Sequence, residues 1–480
     1  MGISVFTPLA VGSTTIPNRL AVPAMVTRLS GEDGFVNDAV TERYRRFVEG
    51  GAGLVVVEAS SIHGQKSGPL LRISGDEFVP GLAHLVDACH QAGDGKVFLQ
   101  IIHFLKVARS GWRQKVGDLD AEYLQSLPGL FAEAACRARD AGFDGVELHM
   151  AHAYTLSSML SRLNKRRDHF GGSLENRLRL PSMTLATVKE RVGDYPVGLR
   201  FDADESIRRG YSTDDAAAFA VRFAELGAAY ISLSAGGKFE DAVPTEGKPL
   251  YPYTGYSGDR CMPGDNSPDA ANIWMARAVR RALRDRGHET PVLGTGKIGT
   301  LALAEQILQD ESCDIVGMAR GLLADPYMPA KHLAGRQDEI VECIYCNVCK
   351  ALDENFNTVT CYLWPKRATQ APRPDDVEGP PIDWDVDEPL VVESSVSDVR
   401  LQWSAPLGDA VGYDVLRSED DGSYDRLTSV TGHRLRDEMV VSGHEYRYRV
   451  IPYDAAGRRG RPSNVVTAQV MPLAVADADA

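Results

Sequence analysis

Long apolar stretches are missing from this chain of 480 residues. No window approaches the roughly 18 consecutive apolar residues that a membrane-spanning helix needs, so the sequence predicts no span. The first 20 residues also lack a basic segment followed by an apolar core, and no secretory signal is predicted there. We therefore expect a cytoplasmic protein.

Positive charge is scarce as well. The chain has 52 Lys and Arg against 66 Asp and Glu, which gives a formal net charge of −14 at pH 7. A protein that binds nucleic acid presents a basic surface to the phosphates, and no basic stretch occurs here. The sequence therefore argues against a nucleic-acid partner. Its hydrophobic and charged fractions, 44% and 25%, are those of an ordinary folded enzyme.

Cysteine is sparse and unevenly distributed, with eight residues in all. Cys89, Cys136, Cys261 and Cys313 are scattered, whereas the other four lie within residues 343–361. In a reducing compartment, clustered thiols favour a metal site over disulfides.

The clustered cysteines have the spacing of an iron–sulfur site. Cys343, Cys346 and Cys349 follow C-x₂-C-x₂-C, and Cys361 comes after eleven further residues. One tight loop can cover three corners of a cubane while a later residue supplies the fourth, so we predict a [4Fe–4S] cluster. A Cys₄ zinc site is the alternative, although zinc ribbons favour two C-x₂-C pairs with a longer spacer between them.

Short β-rich apolar segments alternate with amphipathic helical segments through the first 320 residues. Eight strands are predicted, at LAVP 20–23, GLVVVEA 53–59, VFLQII 97–102, GVELH 145–149, VGLRF 197–201, AYISLS 229–234, PVLGT 291–295 and DIVGM 314–318. Parallel neighbours need helical crossovers, so the alternation predicts an α/β fold, a (β/α)₈ TIM barrel. A doubly wound open sheet is the competing arrangement.

The pattern changes after the cysteines. A Pro-rich acidic segment predicts a linker, and the alternation that resumes in VRLQWSAP, YDVLRS and YRYRVIPY predicts a small all-β sandwich. The predicted division is a barrel at 1–340, a cluster-binding segment at 341–370, a linker at 371–387, a β-sandwich at 388–472 and a tail at 473–480.

The active site of a parallel barrel lies at the C-terminal ends of its strands. The residues expected there are Pro23, Ala24, Met25, Glu58, Ala59, Gln100, His103, His149, His152, Tyr154, Arg200, Ser234, Gly294, Gly296, Lys297, Met318, Ala319 and Arg320. Many are polar, which suits a flavin. Residues 236–267 form an irregular insertion after the sixth strand that we interpret as a lid, with a mobile surface loop as the alternative.

Five segments carry a more specific signal: PNRLAVPAM at 17–25, LQIIH at 99–103, ELHMAHAY at 147–154, RRDHFGGSLENRLRL at 166–180 and CIYCNVC at 343–349. With them, residues 1–370 resemble the old yellow enzyme family of NADH:flavin oxidoreductases. The resemblance is closer to its iron–sulfur branch, which contains 2,4-dienoyl-CoA reductase and trimethylamine dehydrogenase.

The C-terminal segment resembles a fibronectin type III domain. In that resemblance Trp403 is the core tryptophan of an early strand, and Tyr446 stands at the tyrosine corner. Such modules bind partners or space domains, and a passive appendage is the alternative.

The family resemblance implies bound FMN. Gln100 would offer a donor and an acceptor to the pyrimidine edge of the flavin, and Arg200 would stabilise negative charge on the reduced ring. A structural salt bridge is the alternative role of Arg200. The backbone around Ala24, Met25 and Ala59 would line the ring.

The same resemblance assigns Gly296, Lys297, Ala319 and Arg320 to the two turns that bind the FMN phosphate. Val26 departs from the Cys or Thr that relatives often carry in its segment. Because this segment has no cysteine, non-covalent FMN is expected.

The resemblance further implies that His149 and His152 bind a substrate carbonyl and that Tyr154 donates a proton. The expected reaction is reduction of an α,β-unsaturated carbonyl compound with hydride from FMN N5. One alternative is dehydrogenation of an amine or saturated substrate, with electrons delivered to an electron-transfer flavoprotein. Another is a non-catalytic electron-relay or assembly subunit.

An iron–sulfur cluster exchanges single electrons and must connect with another carrier. No GxGxxG segment follows a strand after residue 370, so the nucleotide-binding domains of longer relatives are not predicted here. We expect a separate redox protein, such as an electron-transfer flavoprotein or an FAD-containing subunit, which could dock through the sandwich. The oligomeric state is left open, and a homo-oligomer is compatible with the sequence.

Overall fold

The computed structural model describes residues 4–64, 68–108, 110–376, 381–420 and 422–471. The predicted tail at 473–480 and four residues of the predicted linker lie outside these ranges. Two compact units make up the chain. Unit 1 contains residues 1–263, 267–342 and 352–359, and unit 2 contains 264–266, 343–351 and 360–480.

Unit 1 is built on eight parallel strands that follow a short N-terminal hairpin. The strands are β1 Leu9–Val11, β2 Thr14–Ile16, β3 Leu20–Val22, β4 Leu54–Ser61, β5 Lys96–Ile102, β6 Gly145–Met150, β7 Val197–Asp202, β8 Ile231–Ser234, β9 Val292–Thr295 and β10 Ile315–Gly317. Strands β3 to β10 form a closed barrel in sequence order, which confirms the predicted fold class. Each predicted strand segment overlaps one of these eight.

Closure depends on the parallel pairing of β10 with β3, where Val316 lies opposite Leu20. The strands are buried along their length, as in β4, because helices cover the outside and side chains fill the inside. The β1–β2 hairpin adds Val11 and Ile16 to the apolar cluster of Phe98 and neighbouring residues.

Helices alternate with the strands. The described α-helices are α1 Asp38–Glu49, α2 Val79–Ala92, α3 Ala121–Asp140, α4 Thr155–Leu160, α5 Leu174–Val192, α6 Thr213–Glu225, α7 Gly255–Cys261, α8 Ile273–Arg284, α9 Leu301–Gln309, α10 Ala319–Ala324, α11 Met328–Leu333 and α12 Val348–Glu354. Asn37 and Ser173 cap α1 and α5 by accepting backbone N–H groups of the first turn. None of the helices in the described ranges is both long and apolar enough to cross a bilayer.

Unit 2 carries two antiparallel sheets. Its strands are β11 Leu390–Ser394, β12 Val399–Trp403, β13 Gly412–Glu419, β14 Asp425–Val430, β15 Arg434–Asp437, β16 Glu445–Tyr453 and β17 Val466–Gln469. One sheet has the order β11-β12-β15 and the other β14-β13-β16-β17. Trp403 and Tyr446 lie in their shared apolar core, and Tyr446 Oη accepts from Val441 N over 2.8 Å. The all-β character is confirmed, whereas the fibronectin type III resemblance stays a prediction.

A buried carboxylate fixes the segment that follows β3. Glu58, on β4, has no solvent exposure and accepts hydrogen bonds from both the backbone N and Oγ1 of Thr27. Its own backbone N donates to Tyr44 Oη over 2.9 Å. These contacts hold the backbone that begins at Ala24, at the C-terminal rim of the barrel. Burial raises the pKa of Glu58 to about 7, from an ordinary value of 4.5, and the Thr27 hydrogen bonds oppose this shift.

We expect Glu58→Gln to remove a pH dependence of stability. The unfolded chain releases the Glu58 proton near its ordinary pKa, whereas the folded chain retains it to about pH 7. The free energy of unfolding therefore falls by roughly 3 kcal/mol as pH rises from about 4.5 to about 7. It does not fall further above about pH 7, because Glu58 is then ionised in both states. Thermal unfolding from pH 5 to 8 checks this through the difference between the wild-type protein and the variant.

The matched control is Glu289→Gln, which removes the same charge from a side chain that is 84% exposed. Its unfolding profile should run parallel to that of the wild type across the range. A parallel profile for Glu58→Gln would contradict the prediction.

Candidate active site

Side chains at the C-terminal ends of neighbouring barrel strands lie in register. Gln100 of β5 pairs with Glu147 of β6. His149 of β6 pairs with Arg200 of β7, which in turn pairs with Ser232 of β8. Barrel closure thus brings Gln100, His149 and Arg200 to one rim, although they are up to 100 residues apart in sequence.

The buried carboxylate of Glu147 orients Gln100. Gln100 Nε2 donates to Glu147 Oε1 over 2.6 Å, and Tyr230 Oη donates to Glu147 Oε2 over 2.8 Å. The amide nitrogen of Gln100 is thus bonded to Glu147, and its carbonyl oxygen points away from Glu147. Burial raises the pKa of Glu147, while the nearby Arg200 charge lowers it. Arg200 Nη1 donates to Ser232 Oγ over 2.7 Å, a contact with a hydroxyl and not the salt bridge of the alternative role.

His149, His152 and Tyr154 form a compact group after β6. The ring of His149 lies 5.2 Å from that of His152 and 5.5 Å from that of Tyr154, edge to face in both cases. His152 has φ 59, a left-handed conformation that turns the chain sharply at the strand end. Its Nε2 lies 2.7 Å from Ser234 Oγ, and its backbone N donates to Asp202 Oδ2 over 3.0 Å.

Burial sets the protonation of this group. It lowers the pKa of His149 and of His152 well below the usual value, and the positive charges of Arg200 and Lys238 lower both further. Burial raises the pKa of Tyr154 to about 12, with the charge of Asp353 as the next cause. At neutral pH the group therefore consists of two uncharged imidazoles and one protonated phenol, all of which can donate hydrogen bonds.

The insertion at 236–267 supplies a further member of the group. Tyr253 Oη hydrogen-bonds Tyr154 and lies 3.4 Å from His152 Nδ1. The insertion is less irregular than the sequence indicates, because it contains helix α7. Its last part also includes residues 264–266, which belong to unit 2.

The sequence patterns did not predict the buried ionic network beneath His152. Lys238 Nζ lies 2.9 Å from Asp202 Oδ2 and 3.3 Å from Glu205 Oε1, and it donates to Ser157 Oγ over 2.8 Å. Lys238 is 2% exposed. The network fixes Asp202, which in turn holds the backbone of His152. Asp202 ends β7 and could have been found from that position, but no pattern marks Lys238.

A second missed group lies beside Tyr154. Arg28 Nε contacts Asp353 Oδ1 at 2.8 Å, and its guanidinium lies 4.5 Å from the ring centre of Phe356. Tyr251 Oη donates to Asp353 and accepts from Arg28 Nη2 over 3.3 Å. The only signal in the sequence was the aromatic character of Tyr251.

The residues predicted to bind phosphate follow β9 and β10. Gly296 has φ +123, and a Cβ there would lie 2.7 Å from Asn272 Cβ, so the turn requires glycine. The buried Asn272 Oδ1 has no hydrogen-bond partner within the described part of the chain. Lys297 Nζ donates to Ser267 O, and Arg320 Nη1 donates to Pro263 O over 2.7 Å. Ala319 begins α10.

The remaining predicted residues differ in their surroundings. Ala24 and Met25 directly follow β3, and Ala59 lies where the β4–β5 register shifts. His103 is engaged at both nitrogens, by Thr155 Oγ1 and Tyr123 Oη at 2.7 Å each. Its contacts are those of a structural histidine.

The four clustered cysteines all belong to unit 2. Tyr345 N donates to Cys343 Sγ and Leu363 N donates to Cys361 Sγ, each over 3.4 Å. Tyr345 and Asn347 have φ 53 and 57, so left-handed residues alternate with cysteines and turn the loop tightly. Burial raises the pKa of Cys361 well above the usual value, and the other three thiols raise it further. The loop and the segment of Cys361 thus bring all four cysteines into one unit of the fold.

Comparison with known proteins shows the family of this chain. The sequence model of the NADH:flavin oxidoreductase / NADH oxidase family matches residues 4–115 and 113–249. A NADH oxidase from Thermoanaerobacter brockii is 30% identical over 367 residues, which are 72% of this chain and 53% of that protein. An NADPH dehydrogenase from Listeria welshimeri is 30% identical over 354 residues, which are 70% of this chain and 96% of that protein.

The fold has close counterparts among solved structures. A complex of 2-naphthoyl-CoA reductase aligns with a TM-score of 0.66 at 21% identity, over 82% of this chain and 60% of that one. The chain spans about half the length of the Thermoanaerobacter relative and nearly all of the Listeria relative. On the sequence matches and the rim geometry together, the chain belongs to the NADH:flavin oxidoreductase / NADH oxidase family of FMN-dependent oxidoreductases.

Proposed function

We propose that this protein reduces an α,β-unsaturated carbonyl compound, with FMN and a [4Fe–4S] cluster as cofactors and with electrons from a separate redox protein. The observation that carries this proposal is the group of His149, His152 and Tyr154. Burial keeps the two imidazoles neutral and the phenol protonated. Such a group can bind a carbonyl oxygen and supply a proton.

The rim fits FMN at both ends. Gln100 presents its carbonyl oxygen, and Arg200 adds a fixed cation where the reduced ring gains negative charge. Ala24, Met25 and Ala59 would line the ring with backbone. At the other end, the turn at Gly296, with Lys297, Ala319 and Arg320, would bind the phosphate through backbone N–H groups. FMN supplies hydride to the substrate when it is bound and reduced.

The protein residues then act on the substrate. Ala151 N donates to His149 Nδ1, which leaves the proton of that ring on Nε2. His152 keeps its proton on Nδ1 when Ser234 Oγ donates to its Nε2. In these tautomers His149 and His152 would each donate a hydrogen bond to the carbonyl oxygen and stabilise the negative charge that develops there. Tyr154 holds the proton that reaches the α-carbon, and Tyr253 fixes the direction of its hydroxyl. The lowered histidine pKa keeps these donors uncharged throughout the neutral range.

The cysteines fit a cluster by their chemistry. Burial raises the pKa of Cys346 to about 12, so its thiolate forms only beside a strong positive charge such as an iron–sulfur core provides. Backbone N–H groups already point at the sulfurs of Cys343 and Cys361. A cluster exchanging one electron at a time supports a separate electron-transfer flavoprotein or FAD-containing subunit as the partner. Rapid oxidation of NADH or NADPH by the chain alone, with an enone present, would contradict that partner.

We expect Tyr154→Phe to lose ene reduction while it retains FMN. A general acid contributes about 10² to 10⁴ in rate, so reoxidation of the reduced flavin by a cyclic enone should slow by that factor. Stopped-flow absorbance of anaerobic, dithionite-reduced protein measures this step directly. The FMN-to-protein ratio shows whether the cofactor remains.

Tyr256→Phe is the matched control, because Tyr256 is a lid tyrosine that is 60% exposed. It should reoxidise at the wild-type rate. Equal rates in all three proteins would contradict the role of Tyr154. Reduction of the oxidised flavin by amines, with no reoxidation by enones, would instead support the dehydrogenase alternative.

We expect Cys361→Ala to lose the cluster. Anaerobically purified wild-type protein should contain about four iron and four sulfide per chain, and removal of one ligand should lower both strongly. Metal and sulfide analysis with EPR of the reduced protein provides the measurement. Cys136→Ala, which removes a cysteine of unit 1, should leave both contents unchanged. Stoichiometric zinc without sulfide in the wild type would contradict the proposed cluster.

A further inference from the structure

Two strands of the C-terminal β unit are buried on both faces. In a sandwich, alternate residues of a strand face the core and solvent. On β13, Tyr413 and Val415 lie in the core, yet Asp414 and Leu416 between them have no solvent exposure either. On β16, Ile451 is fully buried but is not part of the core cluster. The outer face of this sheet is therefore covered.

Part of this cover is the segment that carries Cys361. Tyr362 Oη donates to Asp414 Oδ2 over 3.1 Å. Lys366 Nζ lies 3.2 Å from Asp414 Oδ1, and Lys366 N donates to Gly457 O over 2.9 Å. Arg459 binds Asp414 at 3.0 Å and donates to the carbonyl oxygen of Trp364 over 2.7 Å. The fourth cysteine is thus followed directly by residues bound to the sheet.

The loop with the first three cysteines is bound to the same unit. Tyr424 N, just before β14, donates to Cys346 O over 2.9 Å. Tyr424 Oη donates to Asp265 Oδ2 over 2.9 Å, and Arg449, on β16, faces the same carboxylate. Arg449 Nη2 is 4.0 Å from Asp265 Oδ2, and its buried Nε has no hydrogen-bond partner in the described ranges. This guanidinium therefore lies beside the residues that hold the cysteine loop, and Asp265 does not contact its Nε.

We propose that the C-terminal β unit forms part of the cluster site, with the Tyr424 backbone holding the cysteine loop and Arg449 raising the reduction potential of the bound cluster. The inference rests on the cluster of the proposed function. Reduction adds one negative charge to the cluster, and a fixed cation nearby stabilises the reduced form more than the oxidised form. Arg449 is a positioning residue in this scheme, because it binds neither substrate nor iron.

The backbone bond is tested by a matched pair of variants in the full chain. Tyr424→Pro and Tyr424→Ala both remove the side chain, but only proline also removes the N–H donor. We expect the proline variant to retain less iron and sulfide per chain than the alanine variant after anaerobic purification. Equal contents in the two variants would overturn the role of this bond.

The charge is tested by EPR-monitored potentiometric titration, which does not depend on turnover or on correct substrate choice. Arg449→Gln should shift the cluster potential downward, and Arg449→Lys should remain near the wild-type value. Arg400→Gln removes the same charge from a side chain of β12 that is 60% exposed, and it should cause no shift. Equal potentials in Arg449→Gln and wild type would overturn the electrostatic role.

The two proposals fail in different ways. An iron-free wild-type protein would overturn the proposed cluster and this inference with it. A wild type with a full cluster, whose Tyr424 and Arg449 variants all match it in iron content and potential, would overturn this inference alone.

Discussion

The parallel pairing of β10 with β3 is the constraint on which the proposed chemistry depends. It closes the sheet, so every strand has two hydrogen-bonded neighbours and every C-terminal strand end lies on the same rim. Register then decides which side chains meet. His149 stands opposite Arg200 because β6 and β7 pair there, and a shift of β7 by one residue would turn Arg200 to the other side of the barrel wall.

Burial acts on every titratable group at this rim, and the outcome depends on the partners of each group. His152 Nε2 lies 3.8 Å from Asp202 Oδ1, but Asp202 is already paired with Lys238. Burial and the charges of Arg200 and Lys238 lower the pKa of His149 and of His152, and burial raises the pKa of Tyr154, so all three remain neutral. Lys238 is equally buried, but Asp202 and Glu205 contact it and raise its pKa above the usual value. The charge of Lys238 is thus paired with carboxylates, and that of Arg200 is held by a hydroxyl, while the histidines beside them are uncharged donors. A negative charge that develops on a substrate oxygen would meet donors already oriented by the fold.

The barrel and most of the rim could be predicted because buried parallel strands are near-continuous apolar runs, and the residue after each run is a rim residue. Lys238 and Arg28 could not, since they lie in irregular segments, which have no period. Asp353 could not either, because it lies on α12, a short helix that is not part of the alternating barrel pattern. The burial of β13 and β16 on both faces could not be predicted for a different reason. Asp414 and Arg449 alternate with apolar residues, a pattern that normally indicates a solvent-exposed face.

The polar face of that sheet argues against a passive appendage. Asp414 is fully buried yet binds Lys366, Arg459 and Tyr362, two of which come from the segment just after Cys361. An appendage would expose these charged groups to water, where an ion pair contributes little. A buried ion pair stabilises the fold only if each of its polar atoms has a hydrogen-bond partner. Here the sheet and the cysteine segment supply each other's partners, so they must adopt their conformations together. The segments before and after the predicted linker at 371–387 therefore both belong to unit 2, and they are hydrogen-bonded to each other.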